Sequence, residues 1–419
     1  MTYELALSYL ASLNESRIKP GLERIRETLA ALGSPHLQYP HVLVGGTNGK
    51  GSVVSFMGAA LSAAGYRAGI FTSPHLQNFE ERIVVDSRAV TRDELPGLVE
   101  AVKEAGVEMT YFEFATVMSL LYFARQRVDL AILEVGLGGR WDATNATDPV
   151  FSVITSVELD HQEWLGQTLE EVAREKSGIM RKDKPVIAGS MVSAARKIVL
   201  EQAEAVGSRV ILSGRDFRAV RNATGSCLQF EGMKWSINKL VPGLKGQFQL
   251  DNAACALASL EVLSGSGFEI RQVDAVRGIE SAWWPGRFQV FEGSPPIIVD
   301  AAHNRAAVKA LVASLDKGIP VVWLFSALSG KDIGGMTAEM TPLGSRFVLV
   351  PLDHPRAITV RELEVEMPEG CYIKRVSNVR QGIEEALNLA GRKGCVVVAG
   401  SVVLAGEVLR ELEKEGFGV

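Results

Sequence analysis

Short apolar runs alternate along nearly the whole chain with stretches whose apolar residues recur at helical spacing. His41–Val44, Ala68–Phe71, Leu130–Val135, Phe151–Thr155 and Pro185–Ala188 read as strands. Lys50–Ala64, Arg92–Ala105, Glu113–Arg127, Leu169–Met180 and Ser193–Val206 read as helices. Such alternation predicts an α/β fold around a mainly parallel sheet. From Arg209 to Lys239 the pattern shifts to three strand-like pieces, Val210–Leu212, Cys227–Phe230 and Lys234–Ile237, which predict a small antiparallel addition. Gln249–Leu263 reads as a helix. A further helical stretch ends near Trp283-Trp284-Pro285-Gly286, where Pro-Gly breaks the chain. The alternation then restarts. Pro296–Val299, Val321–Phe325, Phe347–Val350, Cys371–Ile373 and Val396–Ala399 are strand candidates, and His303–Ser314, Val379–Ala390 and Ser401–Lys414 are helix candidates. Two domains are expected, 1–284 and a smaller 285–419.

Composition narrows the class. Hydrophobic residues make up 47% of the 419 and charged residues 22%, so the chain can bury a large core. The formal charge of −5 gives no global footprint for nucleic acid, while leaving local anion sites open. The four cysteines, Cys227, Cys255, Cys371 and Cys395, show neither CxxC pairing nor zinc spacing and read as reduced thiols of a cytoplasmic protein. No basic region precedes an apolar run at the N-terminus. The longest uncharged stretch, Gly51–Tyr66, is too short and too polar for a membrane span of about 20 apolar residues. Partners are therefore expected to be small molecules, not nucleic acid or membrane.

Chemistry concentrates in Val42-Leu-Val-Gly45-Gly46-Thr47-Asn48-Gly49-Lys50-Gly51-Ser52. A strand enters a glycine-rich turn and an apolar helix leaves it. Glycines let backbone N–H groups approach phosphate oxygens, the helix N-terminus adds its dipole, Lys50 a charge and Ser52 a hydroxyl for Mg²⁺. Gly51 separates Lys50 from Ser52, a departure from the strict Walker spacing. The bland alternative is an ordinary βα turn. The fold expected is therefore a P-loop-type, mainly parallel sheet domain followed by a Rossmann-like α/β domain. Glu134 ends an apolar strand before Gly136 and Gly138-Gly139, and Asp160-His161 follows another. Carboxyl ends of parallel strands are where ligands of open α/β sheets bind. In isolation, Glu134 could equally be a capping acid, His161 a surface histidine and Lys176 a solvated lysine.

Gly46-Thr-Asn-Gly-Lys-Gly-Ser52 resembles the loop of the folylpolyglutamate synthase/dihydrofolate synthase family, relatives of the Mur ligases. Further motifs follow the family's order: Pro20-Gly-Leu-Glu-Arg-Ile25, Thr72-Ser-Pro-His-Leu76, Glu81-Arg-Ile83, Glu134-Val-Gly-Leu-Gly-Gly-Arg140 with Asp142-Ala-Thr-Asn145, Asp160-His161, Leu165-Gly-Gln-Thr168, Glu175-Lys-Ser-Gly-Ile179, Asn252-Ala253, Pro285-Gly-Arg287 and Asp300-Ala-Ala-His-Asn304. Lys331-Asp332 is a weaker echo. At Arg305 many members carry proline.

The resemblance implies an ATP-dependent ligase of folate biosynthesis and one-carbon metabolism. It would add L-glutamate to dihydropteroate, to the γ-carboxylate of a folate, or to both, through an acyl phosphate. It implies ATP contacts by Thr47, Asn48, Gly49, Lys50, Gly51, Ser52, Asn252, Arg287, Asp300 and His303. It implies Ser52, Glu134, His161 and Lys176 as ligands around two Mg²⁺ ions, with Lys176 carbamylated, and Lys50, Lys176 and His161 as the catalytic set. Asp300 could instead be a helix cap and Arg287 a packed loop residue. Phe79, in the segment resembling the loop over the pterin site, could stack on a heterocycle or belong to the core. Site residues fall on both sides of the Trp283–Gly286 break, so both domains are expected to contribute. A monomer is expected. Two rivals remain. A peptidoglycan Mur ligase usually places a whole domain before its phosphate loop, and only 44 residues precede Gly45 here. A non-catalytic nucleotide switch would need no second domain bearing Arg287 and Asp300.

Overall fold

The computed structural model describes residues 1–13, 19–222 and 227–416. They divide into two compact units, 1–243 with 250–282, and 244–249 with 283–419. The second unit thus takes a strap from within the sequence span of the first. Within that unit the strap's Gln247 N–H donates to Ser314 Oγ at 2.9 Å.

The first unit is built on an eight-stranded sheet. Its strands are β1 (His41–Gly45), β2 (Ala68–Phe71), β3 (Ile83–Val85), β4 (Arg88–Ala89), β5 (Leu130–Glu134), β6 (Phe151–Ile154), β7 (Val186–Ala188) and β8 (Val210–Leu212). In space they run β4-β3-β2-β5-β1-β6-β7-β8. β2 to β8 across β5, β1, β6 and β7 are parallel, and β3 and β4 form an antiparallel edge. Every residue of β1, β5 and β6 is buried, as their continuous apolar runs require of strands covered on both faces.

Val210–Leu212 corrects the sequence reading. It is β8 of the large sheet, parallel to β7 with Ile187 opposite Ile211, and not part of the antiparallel addition. Val-Ile-Leu is an unbroken apolar run that suits a parallel strand. The addition is instead β9 (Arg218–Arg221), β10 (Leu228–Glu231) and β11 (Ser236–Leu240), ordered β11-β10-β9. In β10 buried and exposed residues alternate, the mark of a sheet with one wet face.

Helix starts follow local chemistry. The helix expected from Glu113 begins at Tyr111, because Thr110 and Glu113 form a reciprocal capping box. The same box, Thr168 with Glu171, opens Leu169–Ser177.

The second unit holds β12 (Gln289–Phe291), β13 (Ile297–Val299), β14 (Val321–Phe325), β15 (Arg346–Leu349), β16 (Tyr372–Arg375) and β17 (Cys395–Ala399), ordered β12-β13-β17-β14-β15-β16. Only the edge strand β12 pairs antiparallel among them. Trp323 is fully buried in its core and donates its indole N–H to Gly344 O at 3.0 Å, so its one polar atom is satisfied.

The helix expected from His303 begins at Arg305. Asn304 caps it, its side chain accepting the Ala307 N–H at 2.8 Å. Arg305 therefore fills the first helical position, where proline is favoured and not required. The departure from the family pattern leaves this helix start intact.

The four cysteines are free thiols. Cys255 and Cys395 are buried, and burial pushes them up to about 12 and about 11. Cys227 and Cys371 are half-buried. Among the described residues no helix is long and apolar enough to cross a membrane.

Candidate active site

β1 delivers Gly45 into the turn, and Lys50–Ala63 leaves it as a helix. Two of the glycines are sterically enforced. Gly46 has φ 138°, and a Cβ there would lie 2.0 Å from Thr155 Oγ1. Gly49 has φ 85°, and its Cβ would lie 2.3 Å from Asn252 Oδ1. Thr47 and Asn48 are held by the segment after β6. Thr47 N–H donates to Ser156 O at 2.9 Å, and Glu158 N–H donates to Thr47 Oγ1 at 3.0 Å. Asn48 N–H donates to Ser156 Oγ at 3.0 Å, and Thr155 Oγ1 donates to Asn48 O at 2.6 Å. The turn is thus rigid before any ligand arrives. The first N–H groups of the helix have no intrahelical acceptor and carry the positive end of its dipole. Lys50 folds back over the turn, with Nζ 3.3 Å from Gly46 O and 3.1 Å from Thr47 O. Ser52 is buried in the first helical turn.

Glu134 ends β5 directly beside β1, in register with Val44. It is buried, and its Oε2 accepts the Ser73 N–H at 3.3 Å, tying in the Thr72–Leu76 segment. His161 follows β6 and adopts φ 51°, a left-handed backbone that non-glycine residues rarely take and that clusters at functional sites. Its Nε2 lies 3.9 Å from Asp160 Oδ2. Ser52, Glu134 and His161 thus all sit at the carboxyl edge of one parallel sheet, where β1 lies between β5 and β6.

Lys176, on the helix Leu169–Ser177, is buried, and its Nζ donates to Gly46 O at 3.0 Å. Burial, then the charge of Lys50, pushes its ammonium down to about 7. Its helix can approach because Gly139 lacks a side chain: a Cβ there would lie 2.8 Å from Lys176 O. Asp142 fastens the same segment, accepting the N–H groups of Leu137 at 2.9 Å and Thr144 at 3.0 Å. Asn145 Nδ2 bridges to Arg140 O and Gly178 O. The Glu134–Asn145 motif is thus one folded knot around the lysine.

Phe79 belongs to the core. It is buried against the rings of His75 and Tyr111. Thr155 and Ser156, which lock the phosphate turn, were not legible as site residues. Their only signal is a hydroxyl pair following a parallel strand that ends at the same edge.

Asn252 lies in the first unit, on Phe248–Ser264, against Gly49. Arg287, Asp300 and His303 lie in the second. Asp300 follows β13 and does not cap the next helix, a role that Asn304 takes. Its Oδ2 accepts the Phe288 N–H and its Oδ1 the Ala302 N–H, both at 2.8 Å. Burial pushes its carboxyl up, opposed by Arg287 and those two N–H groups. His303 Nδ1 lies 2.9 Å from Ala301 O, and Phe288 has φ 48°.

No three His, Cys, Asp or Glu side chains cluster as a metal cage among the described residues. A hydroxyl, one carboxylate, an imidazole and a lysine form a thin donor set. Ser52 and Glu134 supply oxygen donors of the kind Mg²⁺ takes, with water and substrate phosphate oxygens to complete its shell, whereas the His161 imidazole is a softer donor and Lys176 would ligate only after its ammonium is converted to an oxygen-bearing group.

Residues 44–260 match the Mur ligase middle domain and residues 286–402 the Mur ligase, glutamate ligase domain. The dihydrofolate synthase/folylpolyglutamate synthase of Escherichia coli is 34% identical over 420 residues, covering 98% of this chain and 96% of that protein. The protein of the same description from Mycobacterium tuberculosis is 33% identical, covering 94% and 90%. A Halobacterium salinarum protein, described as a probable bifunctional folylpolyglutamate synthase/dihydropteroate synthase, is 34% identical. The chain spans about half (51%) of that relative's length. Among solved structures, the E. coli enzyme in complex with DHPP and ADP superposes with a TM-score of 0.90 at 32% identity, covering 99% of this chain and 98% of that one. A bifunctional folylpolyglutamate synthase/dihydrofolate synthase with Mn, AMPPNP and L-glutamate bound gives 0.87 at 30% identity, covering 97% and 98%. By its two matched domains and its relatives across nearly its whole length, the chain belongs to the folylpolyglutamate synthase/dihydrofolate synthase family of Mur-type ligases.

Proposed function

We propose that this chain joins L-glutamate to dihydropteroate, to the γ-carboxylate of a folate, or to both, at the expense of ATP. The observation that carries the reading is the preformed turn Gly45–Ser52, locked by Thr155 and Ser156, with Lys50 and Lys176 converging on one carbonyl, Gly46 O. The substrate carboxylate attacks the γ-phosphorus of ATP, giving an acyl phosphate and ADP. The glutamate amine then attacks the acyl carbon, loses a proton, and phosphate leaves. Membership of this family removes the peptidoglycan-ligase and nucleotide-switch readings.

The residues divide the work. Backbone N–H groups from Gly49 to Ser52 receive phosphate oxygens, and Lys50 neutralises charge that spreads during transfer. Asn252 offers an amide to the base from its seat over Gly49. Arg287 and His303 serve the nucleotide from the second unit, with Asp300 between them. Ser52, Glu134, His161 and Lys176 would hold two divalent ions, which supply charge neutralisation and orientation of the phosphates when bound. We further propose that Lys176 is carbamylated. It is buried, and among the described residues no carboxylate makes an ion pair with its Nζ, Asp160 and Asp142 favouring the charge only from farther away, while burial and Lys50 oppose it. A carbamate keeps an N–H for Gly46 O and adds oxygens for a metal. Intact-protein mass with and without bicarbonate tests this, and an unmodified lysine at full activity would exclude it.

Mass spectrometry of products from dihydropteroate or tetrahydrofolate with ATP and glutamate tests the function. One ADP and one phosphate should appear for each glutamate added. ATP turnover with no glutamate adduct on either acceptor would overturn the reading.

A further inference from the structure

The helix Leu169–Ser177 ends one residue after Lys176. The last carbonyls of a helix, and those just beyond it, lack partners within it. Here they are taken by the loop that begins at Glu134, by β6 and by one arginine. Glu175 O accepts the Arg140 N–H at 3.0 Å, Gly178 O accepts Asn145 Nδ2 at 3.1 Å and Ile179 O accepts the Ser152 hydroxyl at 2.8 Å. Met180 O accepts Arg181 Nη1 at 3.1 Å.

Arg181 spans the two sides of this junction. Its Nη2 lies 2.8 Å from Asn145 Oδ1, 3.0 Å from Asn145 O and 3.0 Å from Thr147 O. The Asn145 amide is thereby committed at both ends, since its Nδ2 donates to Arg140 O at 3.0 Å as well as to Gly178 O. Asn145 is buried, and the Arg181 side chain is 24% exposed. A carboxylate reaches that cation only at the margin. Asp148 Oδ1 is 3.9 Å from Nε, and Asp148 itself pairs with Lys184 at 2.6 Å. Arg181 is therefore held by carbonyls on two segments more than by an ion pair. An ammonium cannot reproduce this, because it lacks the planar fork of donors.

Lys176 stands at one end of the connection, on the helix, and Glu134 at the other, where β5 runs into the loop. Small residues let the two backbones close: a Cβ on Gly178 would lie 2.5 Å from Arg140 Cα. A shift of the helix end would carry Lys176 Nζ away from Gly46 O, which it meets at 3.0 Å.

We infer that Arg181, acting with Asn145, is a positioning residue that sets where Lys176 meets the phosphate turn relative to Glu134, and that it thereby tightens the divalent-ion site. The inference rests on the reading of Lys176 and Glu134 as metal-site residues. Among the described residues Arg181 bonds to neither of those side chains and to nothing in the turn Gly45–Ser52, so its effect passes through the backbone of the two segments. Groups that orient ligating side chains in this way govern metal affinity by about 10–100-fold.

The test uses the full chain as wild type, Arg181→Met, Arg181→Lys and Lys176→Ala. Mn²⁺ in the presence of ADP is the probe, with the free ion measured by electron paramagnetic resonance. Arg181→Met keeps an apolar stem and removes every donor. It should weaken Mn²⁺ binding about tenfold or more, and raise by the same factor the Mg²⁺ concentration that gives half-maximal turnover. KM for glutamate should stay near that of wild type. Arg181→Lys should recover only part of the loss. Wild-type Mn²⁺ affinity in Arg181→Met would overturn the inference, and a lowered Tm beside it would leave Arg181 a purely structural brace. If Lys176→Ala weakens Mn²⁺ binding and Arg181→Met does not, the inference falls alone. If Lys176→Ala binds Mn²⁺ as wild type does, the metal reading of Lys176 fails, and the inference with it. Should Arg181→Met fail to fold, Arg181→Lys decides. It keeps a cation near the end of the helix, which favours the fold, and wild-type Mn²⁺ affinity there would overturn the inference.

Discussion

Lys50 Nζ donates to the Gly46 and Thr47 carbonyls of its own turn, 3.3 and 3.1 Å away, and belongs to the rim of the phosphate turn. Lys50→Ala should lower turnover about a hundredfold or more, the scale expected when a group that stabilises transition-state charge is lost. Its Tm should hold or rise, because the mutation removes the cation that opposes Lys176. Near-normal turnover would contradict the phosphate-turn assignment. His41 offers a pH test away from the site. Both its ring nitrogens are buried without a hydrogen-bond partner among the described residues, and burial pushes it down to about 4. The folded ring is therefore neutral, while the unfolded ring gains a proton below about pH 6.5. Between those values the unfolded chain binds more protons, so each unit of acidification costs up to about 1.4 kcal/mol. The contribution is intact above about pH 6.5 and falls away toward pH 4. Urea unfolding at pH 7.5 and 5.0 should show this slope, and His41→Leu should flatten it. Lys50, Ser52 and Glu134 were legible because a glycine turn and strand ends announce them. His161 and Lys176 were legible only through resemblance, since an imidazole and a lysine on a helix carry no local mark of their task. The bonds from the Phe288 and Ala302 N–H groups to Asp300 were hidden, because backbone partners are not displayed by a sequence.

Among the elements, the helix Phe248–Ser264 links the small antiparallel sheet to the phosphate turn. Its first turn carries Asn252 over Gly49, beside Asp251, which pairs with Arg221 of β9. Its last turns carry Glu261, 1% exposed, whose carboxylate accepts the N–H groups of Met233, Lys234 and Trp235 at 2.9, 2.8 and 2.6 Å. Those three amides form the turn between β10 and β11. Glu261→Ala should strand them and cost about 3 kcal/mol, since bonds to a charged acceptor contribute about 1.5–3 kcal/mol each and overlap here. Glu261→Gln should lose less, because one amide oxygen can still accept two of the three. Both variants should also raise KM for ATP through Asn252, and a stability loss with KM unchanged would separate the helix from nucleotide binding. The long helices and buried strands could be read from period alone. The short pieces could not: β8 is too brief for its pattern to say which sheet it joins, and β12 pairs only because β13 is beside it. Capping boxes at Thr110 and Thr168 would have placed two helix starts without any tertiary information.

At the scale of the whole molecule, the strand–helix alternation restarts near Trp283, where the second unit resumes, whereas the strap 244–249 carries no compositional sign that it belongs with the later residues. Six residues cannot show a hydrophobic period, so membership there is decided by packing. The proposed ligase draws Lys50 and Glu134 from one unit and Arg287 and His303 from the other, and the proposal predicts that ATP changes how the units are held. The thiols supply a way to watch it. Cys255 and Cys395 are shielded and slow to form thiolate, while Cys227 and Cys371 are half-buried, one in each unit. Maleimide dyes should therefore attach first at those two positions in the unmodified chain, giving a donor–acceptor pair with no engineered cysteine. Energy transfer between them should shift when ATP and Mg²⁺ are added, and the Lys50→Ala protein should show a smaller shift at the same nucleotide concentration. An efficiency that stays fixed at saturating nucleotide would mean that ligation proceeds without rearrangement of the two halves.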